Sequence, residues 1–552
     1  MRKIVTFLLL VVLCMSTFVG CGPKGSGGGG NENFANRPNK VSVVYFSSGY
    51  GDKWLEEVAK EYMTNYDTET YIEIKPTVMA TEELEKISSG MAKDDLYLLE
   101  AHTEGVVEQL VELTDLYEQP ALGEENTGKK IKDKVKKNHY EVYKDRNGKS
   151  YMMPYVNQLG YGWAYNKTTL DDAFGEGNYT IPRTTKEFFE MGDKLKDPTK
   201  NLDGKKKYLF VSALEDNSDY LVFSTKVWFA QLMGLENFDN FMEGMHFDAT
   251  AGEYVRDVNA PTVISSYEQE IKDWYNIFRT LGSKSNGYIH EHSASINFIK
   301  SSEIFCGVPL DSDRAPEEVA FIFNGPWLEN ETDFIVEEQA DYGDPQDIRA
   351  MKMPIASDII KRTPTITSEA MLRNVVDYVD GILLDPPIGP KAEDIEKVAE
   401  ARAMVGAVVT GTCNIPKVSD NIEGAKKFIR FLASDKAQLI AQQNIVGGLP
   451  LLPYGYIADE DELGFERSEY MKMVIERAED ARLIVSSADQ YDFCYFGGFG
   501  FPHNTNYIIQ DVFVAPNVES EMTAEKYYSN MYSTWQQKWQ TVITNYNLAM
   551  GN

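Results

Sequence analysis

The sequence predicts an α/β protein built from parallel sheets with helices on their faces. Residues 41–46 are a short run rich in β-branched side chains, and apolar residues recur at helical spacing over residues 54–63. The same order repeats, with strand-like residues at 71–76 and 95–100 on either side of a helical pattern at 81–91. Successive β-α-β units predict parallel strands whose connecting helices pack on the sheet.

Ligand contacts are expected where these strands end, because open sheets of this kind bind ligands beyond the carboxyl ends of their strands. The loop at residues 47–52 follows the first strand, and Glu100 ends the third. Farther along, Asn147-Gly148 predicts a hairpin, and a capping-box pattern at Thr184 predicts a helix start. The chain therefore continues to alternate between strands and helices.

Length and composition narrow the class of protein. The chain has 552 residues, enough for two large lobes. Hydrophobic residues make up 43% and charged residues 25%, which excludes disordered, collagen-like and multi-span membrane proteins. Lys and Arg total 54 against 85 Asp and Glu, for a net charge of −31. A surface this acidic repels the phosphate backbone of nucleic acids. We therefore expect no nucleic-acid partner.

The amino terminus predicts export and a membrane anchor. Residues 1–20 have the features of a secretory signal, with Arg2 and Lys3 ahead of an apolar run. Gly20-Cys21 resembles the processing site of bacterial lipoproteins, in which the cysteine is acylated. Residues 21–39 contain a Gly/Ser-rich stretch typical of a flexible tether. The alternative is an ordinary cleaved signal followed by a disordered tail.

Several later segments carry a resemblance through their order along the chain. They are a strand ending Tyr-Asn-Lys at 159–167, a Trp-containing helix at 227–234, a strand ending Gly-Pro-Trp at 321–327, a strand and helix at 415–432, and a turn at 447–450. In this order they resemble the carbohydrate-type extracellular solute-binding proteins of ABC importers, the family that includes maltose-binding protein.

The resemblance implies a two-lobed periplasmic-binding-protein-like fold, in which each lobe is a mainly parallel sheet flanked by helices and the ligand lies in the cleft between the lobes. The divisions we predict are an N-terminal lobe at 40–160, a mainly C-terminal lobe with crossing segments at 161–345, an insertion at 346–406, and the C-terminal helices, crossing and tail at 407–552.

The function implied by the resemblance is capture of a carbohydrate, an oligosaccharide by our expectation, through hinge closure and its delivery to the ABC permease subunits. We expect a monomer that is lipid-anchored on the extracytoplasmic face of the cell membrane and uses no cofactor. A surface glycan-binding lipoprotein, a sensor-kinase partner and a glycoside hydrolase are the alternatives.

A sugar site needs flat apolar faces for the C–H side of pyranose rings and fixed polar groups for the hydroxyls. The candidates for stacking are Tyr50, Tyr161, Trp163 and Trp327, together with Tyr495 or Phe496. Those for hydroxyl recognition are Asp52, Glu100, Asn157 and Asn324. Each has a structural alternative: Tyr161 and Trp163 alternate along one strand and would serve a core equally well, and Asp52 would serve as a helix cap.

No catalytic or metal-binding signature stands out. The sequence has no G-x-S-x-G, H-E-x-x-H, Walker or Rossmann motif in its required context. His290-Glu291-His292 is interpreted as a surface loop, so we expect no metal site. The cysteines beyond Cys21 are Cys306, Cys413 and Cys494. None of them lies in a C-x-x-C pair, and we interpret them as buried thiols.

Overall fold

The computed structural model describes residues 34–47, 49–100, 104–135, 140, 143–144, 147–157, 159–214, 220–283, 285–310, 317–332, 346–407, 411–479, 481–485, 493, 512 and 522–549. The predictions for the signal, for Cys21, and for Tyr495 and Phe496 lie outside the described residues.

Strands and helices alternate along the described chain. The strands are β1 (Asn39–Phe46), β2 (Thr70–Thr77), β3 (Leu96–Glu100), β4 (Met153–Pro154), β5 (Gly162–Asn166), β6 (Tyr208–Val211), β7 (His246–Asp248), β8 (Glu253–Val255), β9 (Val319–Asn324), β10 (Ile348–Ala350), β11 (Met404–Ala407), β12 (Gly411–Asn414) and β13 (Arg482–Val485). The helices of the first half are α1 (Lys53–Glu61), α2 (Ala80–Ser88), α3 (Thr114–Tyr117), α4 (Ile131–Lys134), α5 (Lys167–Phe174), α6 (Thr185–Leu195), α7 (Tyr220–Met233), α8 (Leu235–Met242), α9 (Thr262–Ser266), α10 (Glu268–Gly282) and α11 (Phe298–Phe305).

The helices of the second half are α12 (Glu369–Val379), α13 (Ala392–Arg402), α14 (Ile422–Leu432), α15 (Asp435–Gln443), α16 (Glu460–Leu463), α17 (Glu469–Glu479) and α18 (Ala524–Ala549). Short 3₁₀ segments lie at Phe34–Asn36, Glu104–Gln109, Pro198–Lys200, Ser293–Ser295, Ser357–Lys361 and Val446–Gly448, and a π-helical turn spans Tyr62–Tyr66.

The first lobe is centred on a sheet with the described strand order β2-β1-β3-β12-β4. The parallel pairing predicted for the first three strands is confirmed, because β1 runs parallel to both β2 and β3. Alternate residues of β1 face opposite sides: Val41, Val43 and Tyr45 enter the main core, whereas Val44 packs with Leu99 in a smaller cluster. This alternation leaves both faces of the sheet covered.

The second lobe contains a sheet with the described order β10-β5-β9-β6. Only the β6–β9 pair among these is parallel, so this sheet is mixed and the expectation of a mainly parallel one is wrong here. The register gives the reason. Gly162 at the start of β5 lies opposite Asn324 at the end of β9. The chain therefore enters this sheet through β5 at the same end at which it leaves through β9, so the two strands run in opposite directions.

Residues 346–406, which we predict to be an insertion, contain α12, α13 and a small apolar core of their own. The segment packs on the second lobe: β10 pairs with β5, Trp228 Nε1 donates to Pro354 O at 2.9 Å, and Arg183 forms an ion pair with Asp377. It is therefore joined to the lobe through a strand, a buried hydrogen bond and a charge pair.

The C-terminal helix α18 packs on the same lobe. The rings of Tyr527 and Tyr275 are stacked with centroids 4.2 Å apart, and Trp539 Nε1 donates to Asp257 O at 2.8 Å. Within the described ranges, no helix combines the length and the apolar character that crossing a membrane requires.

Candidate functional site

Trp327 lies where the two lobes meet. It follows β9 after the turn Gly325-Pro326 and remains partly exposed. The ring of Tyr50, from the first-lobe loop between β1 and α1, meets it edge to face at 5.7 Å between centroids. The ring of Tyr161, just before β5, does the same at 5.1 Å. Edge-to-face pairs are the favoured arrangement of aromatic rings. One indole thus joins tyrosines from both sides of the cleft.

A direct polar contact also crosses between the lobes at this point. Asn330 Nδ2 donates to the carbonyl oxygen of Gly49 in the first lobe, and its Oδ1 accepts from Val446 N at 3.3 Å. A Cβ atom on Gly49 would lie 2.8 Å from Glu331 Oε1 and 3.0 Å from Trp327 Cδ1. The first-lobe loop therefore approaches the second lobe as closely as glycine permits.

A buried tyrosine of the first lobe lies close to Glu100. Tyr155 is fully buried, with its ring 6.3 Å from that of Tyr45. Burial, with the negative charge of Glu100 as the next cause, raises the pKa of the Tyr155 hydroxyl well above its ordinary value. Among the described residues this hydroxyl has no hydrogen-bond partner. Tyr45 is itself held by Gly51, whose carbonyl accepts its hydroxyl proton at 3.0 Å.

Glu329 lies deeper, where the second lobe meets the segment after α15. Its Oε2 is 2.5 Å from where a Cβ atom on Gly447 would lie. Gly447 has a φ of +72°, a conformation that glycine adopts without strain. Burial raises the pKa of Glu329 above its ordinary value, although a hydrogen bond with Ser468 opposes the shift. The carboxyl group is therefore easier to protonate than an exposed one.

A family model described as bacterial extracellular solute-binding protein covers residues 57–454, more than half of the chain.

The chain belongs to this family.

Solved structures of similar fold agree. This solute-binding protein shares 15% identity with the apo form of RafE from Streptococcus pneumoniae, at a TM-score of 0.53 over 92% of this chain and 98% of that one. Maltose-bound MalE3 of T. maritima gives 15% and 0.52 over 90% and 98%. The GacH receptor of Streptomyces glaucescens, solved unliganded and with acarbose, gives 12% and 0.51 over 92% and 99%. No curated protein sequence matches the chain.

The likeness to these structures confirms the two-lobed α/β fold with a cleft between the lobes. Membership of an extracellular family indicates that the solute-binding protein acts outside the cytoplasm.

Three of the residues predicted for the site lie together where the lobes meet, and two of them, Tyr50 and Tyr161, are buried there. Tyr50, Tyr161 and Trp327 are in mutual contact through the indole ring. Glu100 ends β3 and is near enough to Tyr155 for its charge to act on that hydroxyl. The carboxyl end of a parallel strand was the reason to expect Glu100 there.

Other predicted residues are placed elsewhere. Trp163 is 0% exposed and packs in the second-lobe core, with its ring 5.0 Å from that of Phe188. Asn157 donates from Nδ2 to Pro450 O at 3.0 Å, so its amide holds the segment after α15. Asn324 is 2% exposed, and its Oδ1 accepts from Gly325 N at 2.6 Å.

Asp52 occupies the position before α1 but makes no side-chain capping bond. One oxygen of its carboxylate is buried without a hydrogen-bond partner in the described chain. The helix-cap alternative therefore explains why Asp52 lies directly before α1. It does not explain the carboxylate, which forms no bond to the helix.

Sequence reasoning missed Tyr155, Asn330 and Glu331. Tyr155 directly follows the two-residue strand β4, and the other two lie in the helical turn 328–332 after Trp327. Proximity to a predicted stacking residue was the available signal for Asn330 and Glu331.

No metal-binding cluster of three or more His, Cys, Asp or Glu side chains occurs in the described ranges. His290 is 1% exposed and its Nε2 contacts Glu317, so the interpretation of this residue as part of a surface loop is wrong. Its ring packs 4.7 Å from that of Tyr208, which is what draws it inward. Burial lowers the pKa of His290, with Glu317 opposing that shift. Cys306 and Cys413 are both buried, as predicted.

Proposed function

We propose that this solute-binding protein captures a carbohydrate, an oligosaccharide, in the cleft between its lobes and delivers it to the permease of an ABC importer. The observation that carries the proposal is the contact of Trp327 with Tyr50 and Tyr161 from opposite sides of the cleft. An indole with two phenols offers apolar faces for sugar C–H groups and hydroxyls for sugar oxygens.

Acids on both sides of the cleft suit the remaining hydroxyl groups of such a ligand. Glu100 lies on the first lobe and Glu331 on the second. A carboxylate accepts hydrogen bonds from hydroxyl donors, and charge-assisted bonds of this kind are stronger than neutral ones. The proposed contact residues are therefore Tyr50, Glu100, Tyr161 and Trp327, with Glu331 added.

Binding is proposed to act through closure of the lobes. A ligand that touches Tyr50 on one lobe and Trp327 on the other binds the closed arrangement more tightly than an open one, and it shifts the population toward closure. The bond from Asn330 to Gly49 joins the two lobes, and we expect it to form as they close. Structures of the same fold with maltose and acarbose support a saccharide as the ligand.

The protein is proposed to work as a monomer tethered to the membrane by lipid on Cys21, without a cofactor and without chemical change to its ligand. The motif around Cys21 and the tether at 21–39 support the anchor. A tether keeps the binding lobes concentrated near the permease.

The test is isothermal titration of the body beginning at residue 31 with monosaccharides, oligosaccharides, amino acids and short peptides. We expect saturable binding of one saccharide class, recovered chemically unchanged. Trp327→Ala is expected to weaken it roughly tenfold or more. Phe247→Ala, an exposed ring on the β7–β8 hairpin, is the matched control and should bind normally. Binding of peptides alone would overturn the ligand class, and consumption of the saccharide would make the protein an enzyme.

A further inference from the structure

A cavity lies between residues of the predicted insertion and α17. Its volume is about 150 Å³, and its wall includes the cationic side chains of Lys352, Arg402 and Arg477, with Glu476 at the surface. A cavity needs roughly 10–15 Å³ to admit one water, so this one has room for a multi-atom ion.

Arg477 is the buried cation that gives the cavity its character. Its Nη2 donates to Gly160 O at 2.9 Å and its Nη1 to Met351 O at 3.3 Å, both uncharged acceptors. Its Nε is buried without a partner, and no carboxylate in the described part of the chain forms an ion pair with it. Burial lowers the pKa of Arg477, while Tyr470 opposes the shift.

The fold makes room for this guanidinium group. A Cβ atom on Gly162 would overlap Nη1 of Arg477, so only glycine at the start of β5 admits it. A buried charge without a counter-charge is strongly unfavourable. The fold therefore places a buried cation at this position. Within the described residues, no carboxylate is paired with it to neutralise its charge.

The other two cations share one acid. Arg402 donates from Nη2 to Asp380 at 2.8 Å, and Lys352 Nζ donates to the same carboxylate at 3.1 Å. Burial opposes ionisation of Asp380, but Arg402 and Lys352 hold its pKa below the ordinary value. Counted together, the three cations, Asp380 and the exposed Glu476 leave one positive charge in excess around the cavity.

We propose that this cavity binds a small oxyanion such as phosphate, which supplies the acceptor for Arg477 Nε and the missing negative charge. A tetrahedral oxyanion presents oxygens in several directions, which suits donors that converge from α13, α17 and the segment after β10. Guanidinium groups are the preferred partners of such ions because their donors form a rigid fork.

The site is coupled to the sugar cleft through the backbone. Arg477 holds the carbonyl of Gly160, and the next residue, Tyr161, donates from its backbone nitrogen to Gly406 O at 2.7 Å. Its ring contacts Trp327. An anion that fixes Arg477 therefore also fixes the residue before Tyr161. The anion site does not depend on which solute the cleft takes.

The probe is inorganic phosphate, titrated calorimetrically and in thermal melts of the body from residue 31, with chloride holding ionic strength constant. We expect saturable heat and a saturable rise in melting temperature. Lys352→Met and the cavity-filling Ala399→Leu should each weaken phosphate binding at least about tenfold. Lys436→Met removes an exposed cation on the other lobe and is the control that should leave phosphate binding unchanged.

Melting temperatures without phosphate show whether each variant is folded. One variant removes a charge and the other fills the cavity, so the test still stands if one of them does not fold. An absence of saturable binding, or equal binding by the cavity variants and the native chain, would mean that the cavity holds only water. Saccharide titration of the same samples is read separately, so failure of the anion site is distinguishable from failure of the proposed sugar function.

Discussion

Replacing Gly49 by alanine tests whether the contact between the lobes controls binding. The added Cβ atom would lie 2.8 Å from Glu331 Oε1 and 3.0 Å from Trp327 Cδ1. Overpacking of this kind costs typically about 1–3 kcal/mol. Because Gly49 meets these atoms across the cleft, the lobes can relieve the clash by separating. The clash then destabilises only the closed state, and ligand affinity should fall about 5- to 150-fold.

The assay combines calorimetric titration of the cleft ligand with the melting temperature of the ligand-free protein. We expect weaker binding of the Gly49→Ala variant at an unchanged melting temperature, since the clash disappears when the lobes open. Gly177→Ala is the control for affinity alone: its added Cβ meets no atom within 4 Å, so ligand affinity should be unaffected, although alanine at its φ of +74° is strained and should lower the melting temperature. Unaltered affinity of the Gly49 variant would refute the reasoning, as would a loss of thermal stability large enough to account for weaker binding.

Three other predictions follow from the same structure. Asn330→Ala removes the donor to Gly49 and the acceptor for Val446, so X-ray scattering with ligand should give a larger radius of gyration than for the native chain; an identical profile would argue against the contact. Because burial raises the pKa of Glu329 above 4.5, its stabilising effect is present at low pH and is lost as pH rises through the raised pKa. Between pH 4 and pH 7 the melting temperature should therefore fall less for Glu329→Gln than for the native protein. Glu423→Gln, at an exposed position, is the control. Parallel melting-temperature curves for Glu329→Gln and the native protein would contradict this prediction. Burial raises the pKa of the Cys306 thiol to about 12 and that of Cys413 well above its ordinary range, so in a Cys494→Ser body neither thiol should react with a disulfide reagent until denaturant is added; rapid reaction of the native form would contradict their burial.

The parallel pairing of β1 with β2 and β3 was predictable from sequence because these three strands follow one another with helices between them. The antiparallel placement of β5 beside β9 was not, since these strands are far apart in sequence and only the crossing geometry decides their direction. Local patterns report which residues share a face of a strand. They do not report where the strand begins relative to its neighbours.

The contrast between Tyr161 and Trp163 illustrates this limit for the candidate site. Both point to the same side of one strand, and the sequence left core and cleft as alternatives. Trp163 lies within β5 and is enclosed by Phe188, Phe210 and Phe323. Tyr161 precedes the strand and reaches Trp327 at the cleft. A shift of two residues along the chain separates a side chain enclosed by core phenylalanines from one that contacts Trp327 where the lobes meet.

The position of β12 has a consequence for how the protein is made and exported. This strand, residues 411–414, lies inside the first sheet between β3 and β4, and α14, which follows it, contributes Phe428 and Phe431 to the first-lobe core. The amino-terminal lobe therefore cannot complete its sheet until most of the chain has been synthesised. Pairings between residues so distant in sequence form slowly. A polypeptide that folds late in this way stays unfolded for longer. Passage through a narrow secretion channel requires an unfolded chain.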